Sequence, residues 1–380
     1  MDDRLYALRR EVYGWARELR RHSLDVDADP ARVHELLAQP GVAYMETLGI
    51  PPEFGGPVLR VGGYRYDGMS AIERVVSLEE LAFGDAGILL AAPGPSMFGV
   101  LLCQLGNEKQ KTTYFDRLLE RPTWTFFGLT EPDRGSDATA ITTALTPVPE
   151  QSGFLLDGAK RYIGNGSRAT FGAVFCRTGP GPFGVSAAIV EADSPGFTAE
   201  PLDMIGLRAV QISHLQLKAV PVPVEGLLGA HLPTTRRGMW GFLQVFNRLR
   251  PTVAAMAVGV ARAALEYAGT ERRLAPPAVQ EELAVLGSRI DLSRALVHRA
   301  ARAVDAHGDG QPASVAKVSA CRLAASVTLR AAALLGPAAR IEHPLLDKFV
   351  RDAQGLEFME GTSNIQRLNV IPGLLGHDLR

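Results

Sequence analysis

The segment Ile212-Ser-His-Leu-Gln-Leu-Lys-Ala-Val-Pro-Val-Pro223 alternates polar and apolar residues from His214 to Ala219. Leu215, Leu217 and Ala219 alternate with polar residues, which is the period of a β-strand with one buried face. Four shorter apolar runs precede it, separated by turns rich in Gly and Pro: TWTFFGLT (123–130), GFLLDGAKRYIG (153–164), FGAVFCRT (171–178) and VSAAIVEA (185–192). The stretch 123–235 is therefore predicted to form a small antiparallel β domain.

Helical periodicity flanks this domain on both sides. In the first helix the apolar residues recur every three or four positions: Leu5, Leu8, Val12, Trp15 and Leu19. Further helical stretches are expected near 30–38, 68–83, 90–105 and 107–119. After Gly238 the same spacing continues through three long segments joined by short links at 274–277 and 307–312, which indicates an antiparallel helical bundle.

Composition excludes several classes of protein. The 380 residues carry 40 Lys and Arg against 41 Asp and Glu, so there is no strong positive field for nucleic acid. The three cysteines are far apart and lack metal-site spacing, so we expect neither a disulfide framework nor a bound metal. The charged N-terminus is unlike a signal peptide, and no uninterrupted apolar run approaches the ~20 residues of a membrane span. We expect a cytoplasmic protein without a membrane or nucleic-acid partner.

A glycine pattern in GNGSRA (164–169) satisfies G-x-G-x-x-G/A, the fingerprint of dinucleotide-binding folds. The residues that follow it, TFGAVFC, are β-branched and aromatic and predict a strand, whereas the fingerprint requires the N-terminus of a helix. We therefore interpret GNGS as a hairpin turn.

Two other segments contain residues that are unusual for ordinary structure. In Phe127-Gly-Leu-Thr-Glu-Pro-Asp-Arg-Gly-Ser-Asp137 an apolar strand leads into a loop whose backbone N–H groups and hydroxyls could approach a phosphate or a ring carbonyl. In Leu356-Glu-Phe-Met-Glu-Gly-Thr-Ser-Asn-Ile-Gln-Arg367, Glu360 follows an apolar pair where a helix is expected to begin, and apolar surroundings would raise its proton affinity. Taken singly, the first could be a hairpin loop and Glu360 a helix N-terminal charge.

Together these segments resemble the acyl-CoA dehydrogenase family over nearly the whole chain. Six blocks match in order and at family spacing: LGIPPEFGG (48–56), the Glu79-Glu80 run, Gly106 to Lys111, Leu129-Thr-Glu-Pro with Gly135 to Asp137, Arg351 to Ala353, and Glu360 to Gln366. The resemblance implies an α+β fold, mainly α, with an N-terminal helical domain (1–122), the middle β domain (123–235) and a C-terminal four-helix bundle (236–380).

The resemblance also implies FAD and the α,β-dehydrogenation of an acyl thioester. Glu360 stands at the position of the family's base, which removes the α-proton while a hydride leaves the β carbon for flavin N5. The implied cofactor-binding residues are Phe127, Leu129, Thr130, Gly135, Ser136, Tyr162, Ile163, Gly164, Arg272, Thr362, Ser363 and Asn364. The implied substrate-binding residues are Ser136, Asn247, Arg250 and Gly361.

Several positions depart from the family pattern. The family's Arg-x-x-Phe-Gly reads Arg272-Arg-Leu-Ala-Pro276, and its Leu-Gly-Gly-x-Gly run reads Leu335-Gly-Pro-Ala-Ala339. In the family both elements act across a subunit interface, so FAD could be held differently here. Asn247 replaces an Asp and Val210 replaces a hydroxyl residue, which leaves open whether the thioester carrier is CoA or an acyl carrier protein.

The resemblance implies a homodimer or homotetramer and an electron-transfer flavoprotein or another acceptor. Two alternatives to the dehydrogenase remain: a flavin oxidase or monooxygenase on the same fold, and a degenerate scaffold without catalysis. Glu360 argues against a monooxygenase, which needs no α-proton base, and the intact Thr130-Glu-Pro and Glu360-Gly-Thr segments argue against a scaffold.

Overall fold

A computed structural model describes residues 2–148 and 153–377. Its N-terminal part contains α1 (Asp3–Arg20), α2 (Ser23–Ala28), α3 (Pro40–Thr47), α4 (Ala71–Ala91), α5 (Ser96–Leu105) and α6 (Glu108–Glu120), with a hairpin of β1 (Leu59–Val61) and β2 (Tyr64–Tyr66). The stretch near 30–38 forms a 3-10 helix, Pro30–Leu36. Helix α1 buries its predicted apolar stripe, although Trp15 is only half-buried.

The middle part is one sheet of eight strands. They are β3 (Thr125–Gly128), β4 (Ala144–Val148), β5 (Gly153–Ile163), β6 (Phe171–Arg177), β7 (Val185–Glu191), β8 (Phe197–Pro201), β9 (Ser213–Pro223) and β10 (Leu227–Leu228). Their order is β10-β7-β6-β4-β5-β9-β8, with β3 paired to β6. Most neighbours are antiparallel, but β3 runs parallel to β6, as does the single pair that joins β4 to β6.

Two local expectations for the sheet were wrong. The GNGS turn joins β5 to β6, but β4 lies between these strands in the sheet, so the turn does not close a hairpin. In β9 the alternation ends at Ala219, which is exposed and has φ +51, because the register against β5 shifts between Leu217 and Val220. A bulge of this kind adds a residue to one strand and returns the following apolar residues to the buried face.

The C-terminal part is a helical bundle. Its helices are α7 (Gly238–Glu271), α8 (Pro277–His307), α9 (Gln311–Leu335), α10 (Ala339–Glu342), α11 (Pro344–Leu356) and α12 (Ser363–His377). Helices α7, α8, α9 and α11 pack on one another as a four-helix bundle, while α12 packs on α9. The links at 274–277 and 307–312 connect successive helices as predicted, and the expected fold class is confirmed.

Helix α4 joins the N-terminal part to the bundle. It crosses α7 so closely that a Cβ on Gly259 would lie 2.3 Å from the Glu79 carbonyl oxygen. Beside this crossing Arg262 bridges the buried carboxylates of Glu79 and Glu80 at 2.8 Å each, and Arg294 also binds Glu79. One hydrophobic core contains residues of the N-terminal helices, the middle sheet and the bundle, so the three parts pack on one another.

Helix α9 is the single helix within the described residues that is long and apolar enough to cross a membrane. Its buried residues face α7, α8 and α11. Core helices of globular proteins can be equally long and apolar, so the packing of α9 in the bundle explains its apolar character.

Candidate active site

Glu360 lies in the turn between α11 and α12, three residues before α12 begins. Its backbone is left-handed at φ +53, and Gly361 follows at φ +98. Among the described residues, neither the Glu360 N–H nor its Oε2 makes a hydrogen bond, although Oε2 is enclosed. The turn therefore offers one acceptor and one donor, both without partners, at the same residue.

Burial controls the charge of this carboxylate. Loss of water raises the pKa of Glu360 from 4.5 to about 7, against the opposing influence of the Arg250 and Lys317 charges. A carboxylate with a pKa near neutrality has a higher proton affinity than an exposed one and is still largely ionised above pH 7. These are the properties of a general base.

Two buried side chains hold the Glu360 turn by its carbonyl groups. Lys317 donates from Nζ to the carbonyl oxygens of Glu357 at 2.5 Å and Gly361 at 2.9 Å. Gln366 donates from Nε2 to the carbonyl oxygens of Glu360 at 2.9 Å and Gly361 at 3.1 Å. These bonds satisfy carbonyl groups of the turn between α11 and α12 and thereby hold the left-handed backbone at Glu360.

Glu357 has a structural role in the same turn. Its carboxylate accepts hydrogen bonds from the N–H and the hydroxyl of Ser363, both at 2.7 Å. It thereby satisfies a donor at the start of α12. Glu357 and the Ser363 hydroxyl are bound to each other, so neither is free for chemistry in this arrangement.

Arg250 connects the turn to α7. Its guanidinium is buried and donates to Asn247 Oδ1 at 2.7 Å, while its Nε lies 3.4 Å from the Glu360 carbonyl oxygen. The Arg250 guanidinium also lies 5.7 Å from the centre of the Phe246 ring, and that ring lies 6.1 Å from Phe127 on β3. A continuous series of contacts therefore runs from Glu360 to the strand predicted to cover a flavin.

The loop after β3 is fixed by a buried ion pair. Glu131 accepts hydrogen bonds from the N–H and hydroxyl groups of Thr142 and Thr143 and from Lys160, whose Nζ lies 2.9 Å from Glu131 Oε1. Burial alone would raise the pKa of Glu131, but Lys160 and Thr143 lower it to about 2. Lys160 also donates to the Leu129 carbonyl oxygen at 3.1 Å. The segment Leu129 to Glu131 is thus held in place, with Leu129 and Glu131 buried and Thr130 half-buried.

Thr130 and the end of β5 lie side by side. The Thr130 carbonyl oxygen accepts the Arg161 N–H at 2.8 Å, and the Thr130 hydroxyl has no partner within the described part of the chain. Tyr162 follows Arg161 with φ +62 and its ring is 57% exposed, whereas Ile163 is buried. Gly164 can offer only backbone groups to a ligand, and a Cβ at this position would lie 3.4 Å from Val210.

The remaining predicted residues differ in where they lie. Gly135, Ser136 and Asn364 are exposed, and Thr362 is half-buried in the Glu360 turn. Arg272 lies 22 residues beyond Arg250 on α7, about 33 Å along the helix axis. Its Nε donates to the Leu334 carbonyl oxygen of α9 at 2.8 Å, so the structure does not bring it to the other site residues of its own chain.

Sequence reasoning missed the residues that position the site. Lys317 shares the buried face of α9 with Ala313, Ala320 and Cys321, whereas the other two charged residues of the helix are exposed, and a charge on an apolar helix face is the signal that could have revealed it. Lys160 and Gln366 gave no comparable signal, because their partners lie far away in sequence or are backbone atoms. No group of three or more His, Cys, Asp or Glu side chains is arranged for a metal in residues 2–148 and 153–377.

Comparison with known proteins defines the class of protein to which this fold belongs. Two family models match: the acyl-CoA dehydrogenase middle domain over residues 126–220 and the acyl-CoA dehydrogenase C-terminal domain over residues 236–375. A probable acyl-CoA dehydrogenase of Bacillus subtilis, YngJ, is 31% identical over 94% of both chains. The chain belongs to the acyl-CoA dehydrogenase family, and the expected oxidoreductase class is confirmed.

Solved structures agree with this assignment. Butyryl-CoA dehydrogenase from Megasphaera elsdenii matches with a TM-score of 0.83 and 27% identity, covering 99% of this chain and 100% of that one. The prolyl acyl carrier protein oxidase AnaB matches with a TM-score of 0.82 over 98% and 99% of the two chains. Its 22% identity shows a shared fold only.

Proposed function

We propose that this protein is an FAD-dependent enzyme that removes the α-proton and the β-hydride of an acyl thioester, with Glu360 as the base. The observation that carries the proposal is the enclosed Glu360 carboxylate, whose Oε2 has no hydrogen-bond partner among the described residues. Burial without a partner has no structural benefit, since it costs the solvation of the charge. A substrate proton would supply the missing interaction.

The residues present fit a flavin beside this carboxylate. The Thr130 hydroxyl has no partner among the described residues, the Tyr162 side chain is exposed, and Gly135 and Ser136 lie in an exposed loop where a Cβ on Gly135 would lie 3.8 Å from Thr130. These residues, with Leu129, Ile163, Gly164 and the run Thr362 to Asn364, would hold FAD, which supplies the acceptor for the β-hydride. Arg272 would reach FAD only from a neighbouring subunit, because it lies far from these residues in its own chain.

The chain's own groups account for the proton step. Glu360 Oε2 takes the α-proton, and the free N–H of Glu360 donates to the thioester oxygen as negative charge develops there. Lys317 and Gln366 hold the turn so that these two groups keep their relative position. Arg250 limits the rise of the Glu360 pKa, so that the carboxylate is ionised when the substrate arrives.

The proposal also concerns the carrier of the thioester and the acceptor that reoxidises the flavin. Asn247 is occupied by Arg250 through its Oδ1, so a polar contact to the carrier would come from its amide nitrogen. CoA and an acyl carrier protein both remain candidates for the carrier, and an electron-transfer flavoprotein or another acceptor would reoxidise the flavin. An oxidase would use the same site with O₂ as the acceptor.

The decisive experiment is anaerobic stopped-flow reduction of the flavin in Glu360→Gln. The protein should copurify with FAD, and the variant should bind FAD and thioester while the rate of flavin reduction falls by ~10³-fold or more, since the amide cannot accept the proton. Glu342→Gln is the matched control, because Glu342 is exposed and lies outside the site. Reduction of Glu360→Gln at the wild-type rate would exclude Glu360 as the base.

A further inference from the structure

A cavity of about 230 Å³ lies beneath the loop LGIPPEFGG, between this loop, the start of α4, and helices α5 and α7. Its lining includes three cationic side chains, Arg74, Arg248 and Lys111. One carboxylate, Glu53, also lines it but belongs to an exposed residue. The cavity is therefore small and has an excess of positive charge.

Arg74 is the most unusual of these residues, because its side chain is buried to 4% exposure. Its Nε donates to the Gly68 carbonyl oxygen at 2.7 Å. Within residues 2–148 and 153–377, no carboxylate oxygen lies within 4 Å of its guanidinium nitrogens. Buried guanidinium groups are normally paired, since an unpaired buried charge is costly.

The backbone around the cavity is shaped to accept this guanidinium. Gly49 has φ +97, and a Cβ at that position would lie 2.6 Å from one terminal nitrogen of Arg74. Glycine at this position therefore removes both the backbone strain and the clash that any other residue would introduce. The backbone of the loop and the Arg74 guanidinium are therefore complementary in shape.

Arg248 extends the positive charge from α7. It donates to the Met69 carbonyl oxygen at 2.6 Å, and no carboxylate among the described residues lies within ion-pair distance of it. Lys111 is paired on its outer side with the exposed Glu108 at 3.0 Å. Two arginines without acidic partners thus face one cavity.

Neither the Cys103 thiol nor the Tyr44 hydroxyl neutralises Arg74. Cys103 lines the cavity, but burial raises the pKa of its thiol despite the nearby arginines. Burial likewise raises the pKa of Tyr44 to about 12. Both groups are therefore neutral near pH 7. Asp305 lies near enough to favour the charge of Arg74 but binds the N–H groups of Ala71 and Ile72, so among the described residues Arg74 has no ion-pair partner.

We propose that this cavity binds a small oxyanion, a phosphate or carboxylate group, through the Arg74 and Arg248 guanidinium groups. Guanidinium presents paired N–H donors that match the oxygens of such groups. The site is distinct from the Glu360 site, because Arg248 and Arg250 are two residues apart on α7 and point about 200° apart around the helix. The inference does not depend on the proposed reaction.

The test is isothermal titration calorimetry of the FAD-saturated protein with inorganic phosphate in one arm and succinate in the other. Saturation with FAD prevents the probes from occupying the flavin site. Arg74→Met and Arg248→Met keep much of the side-chain volume but remove the charge, and each should weaken binding by about tenfold or more. Arg60→Met is the matched control, because Arg60 is exposed and outside the cavity, and it should bind like the wild type.

The two arms identify the ligand group. Binding of phosphate alone assigns the cavity to a phosphoryl group, and binding of succinate alone assigns it to a carboxylate. If neither anion binds the wild type, or if both arginine variants bind as the wild type does, the proposal is overturned. Arg248 is only half-buried, so Arg248→Met decides the question even if Arg74→Met does not fold.

Discussion

At the scale of single residues, the proposed reaction depends on a carboxylate whose pKa is raised by burial. The sequence predicted a raised proton affinity for Glu360 from its apolar neighbours, and the raised pKa agrees. The cause is partly different, since its neighbour Phe358 is 72% exposed and cannot form a wall. Long-range packing, with Arg250 and Lys317 close by, sets the environment of Glu360. Such packing cannot be read from adjacent residues.

The pKa of Glu360 predicts a pH profile for the reaction. The base must be ionised, so kcat/KM should rise with pH and level off above an apparent pKa of about 7. Steady-state assays across pH 5.5 to 9 would measure it. A profile that is flat between about pH 6 and pH 8 would contradict the assignment of Glu360 as the titrating base.

The same pKa has an opposite consequence for stability. The folded value lies above the ordinary 4.5, so the native state binds the proton more tightly than the unfolded state does. The stabilising effect is complete below about pH 4.5 and is lost as the pH rises through about 7. Glu360→Gln removes this loss of stability with rising pH. Denaturant unfolding at pH 5.5 and pH 8.5 should therefore show a larger decrease in the free energy of unfolding for the wild type than for the variant. Equal decreases would contradict the raised pKa of Glu360.

At the scale of elements, the sequence predicted which segments form helices or strands better than it predicted how the strands pair. Helices α7, α8 and α9 were predicted because their apolar residues repeat every three or four positions over many turns. The parallel pair of β3 with β6 could not be predicted, because it depends on contacts between strands distant in sequence. The bulge at Ala219 was equally hidden, because alternation describes one strand and does not describe its register against another.

The crossing of α4 with α7 supplies a sharp test of packing. Gly259→Ala should destabilise the protein by about 2 kcal/mol or more, because its Cβ would lie 2.3 Å from the Glu79 carbonyl oxygen and the helices would have to separate. Gly269→Ala is the matched control on the same helix, since a Cβ there meets nothing within 4 Å. It should be neutral or stabilise by up to about 1 kcal/mol through helix propensity. Urea unfolding measures both, and equal effects would contradict this account of the crossing.

At the scale of the whole molecule, the two segments that depart from the family pattern lie close together in space. Arg272 Nε donates to Leu334, one residue before the altered run Leu335-Gly-Pro-Ala-Ala339 begins. Within one chain, therefore, one nitrogen of Arg272 is used to satisfy a carbonyl at the end of α9. The three-part layout was predictable from periodicity, but this contact was not, because it joins the ends of two helices separated by a third.

The helical bundle exposes large apolar residues. Leu274 is 90% exposed, Ile341 86% and Leu292 69%, and Val285 lies one heptad before Leu292 on α8. Single exposed apolar residues are ordinary, but several on neighbouring elements indicate a surface that another chain covers. The expected homodimer or homotetramer would bury this surface.

This surface predicts the behaviour of an assembly variant. The wild type should elute as a dimer or tetramer in size-exclusion chromatography with light scattering, and the double variant Val285→Lys with Leu292→Lys should shift to a smaller mass, because two charges would have to be buried at the interface. Tyr6→Lys is the control, since it adds a charge at an exposed aromatic residue on α1. If Arg272 reaches FAD across the interface, flavin occupancy should fall together with the mass. A wild-type monomer with full FAD occupancy would contradict both the assembly and a role for Arg272 in a neighbouring subunit.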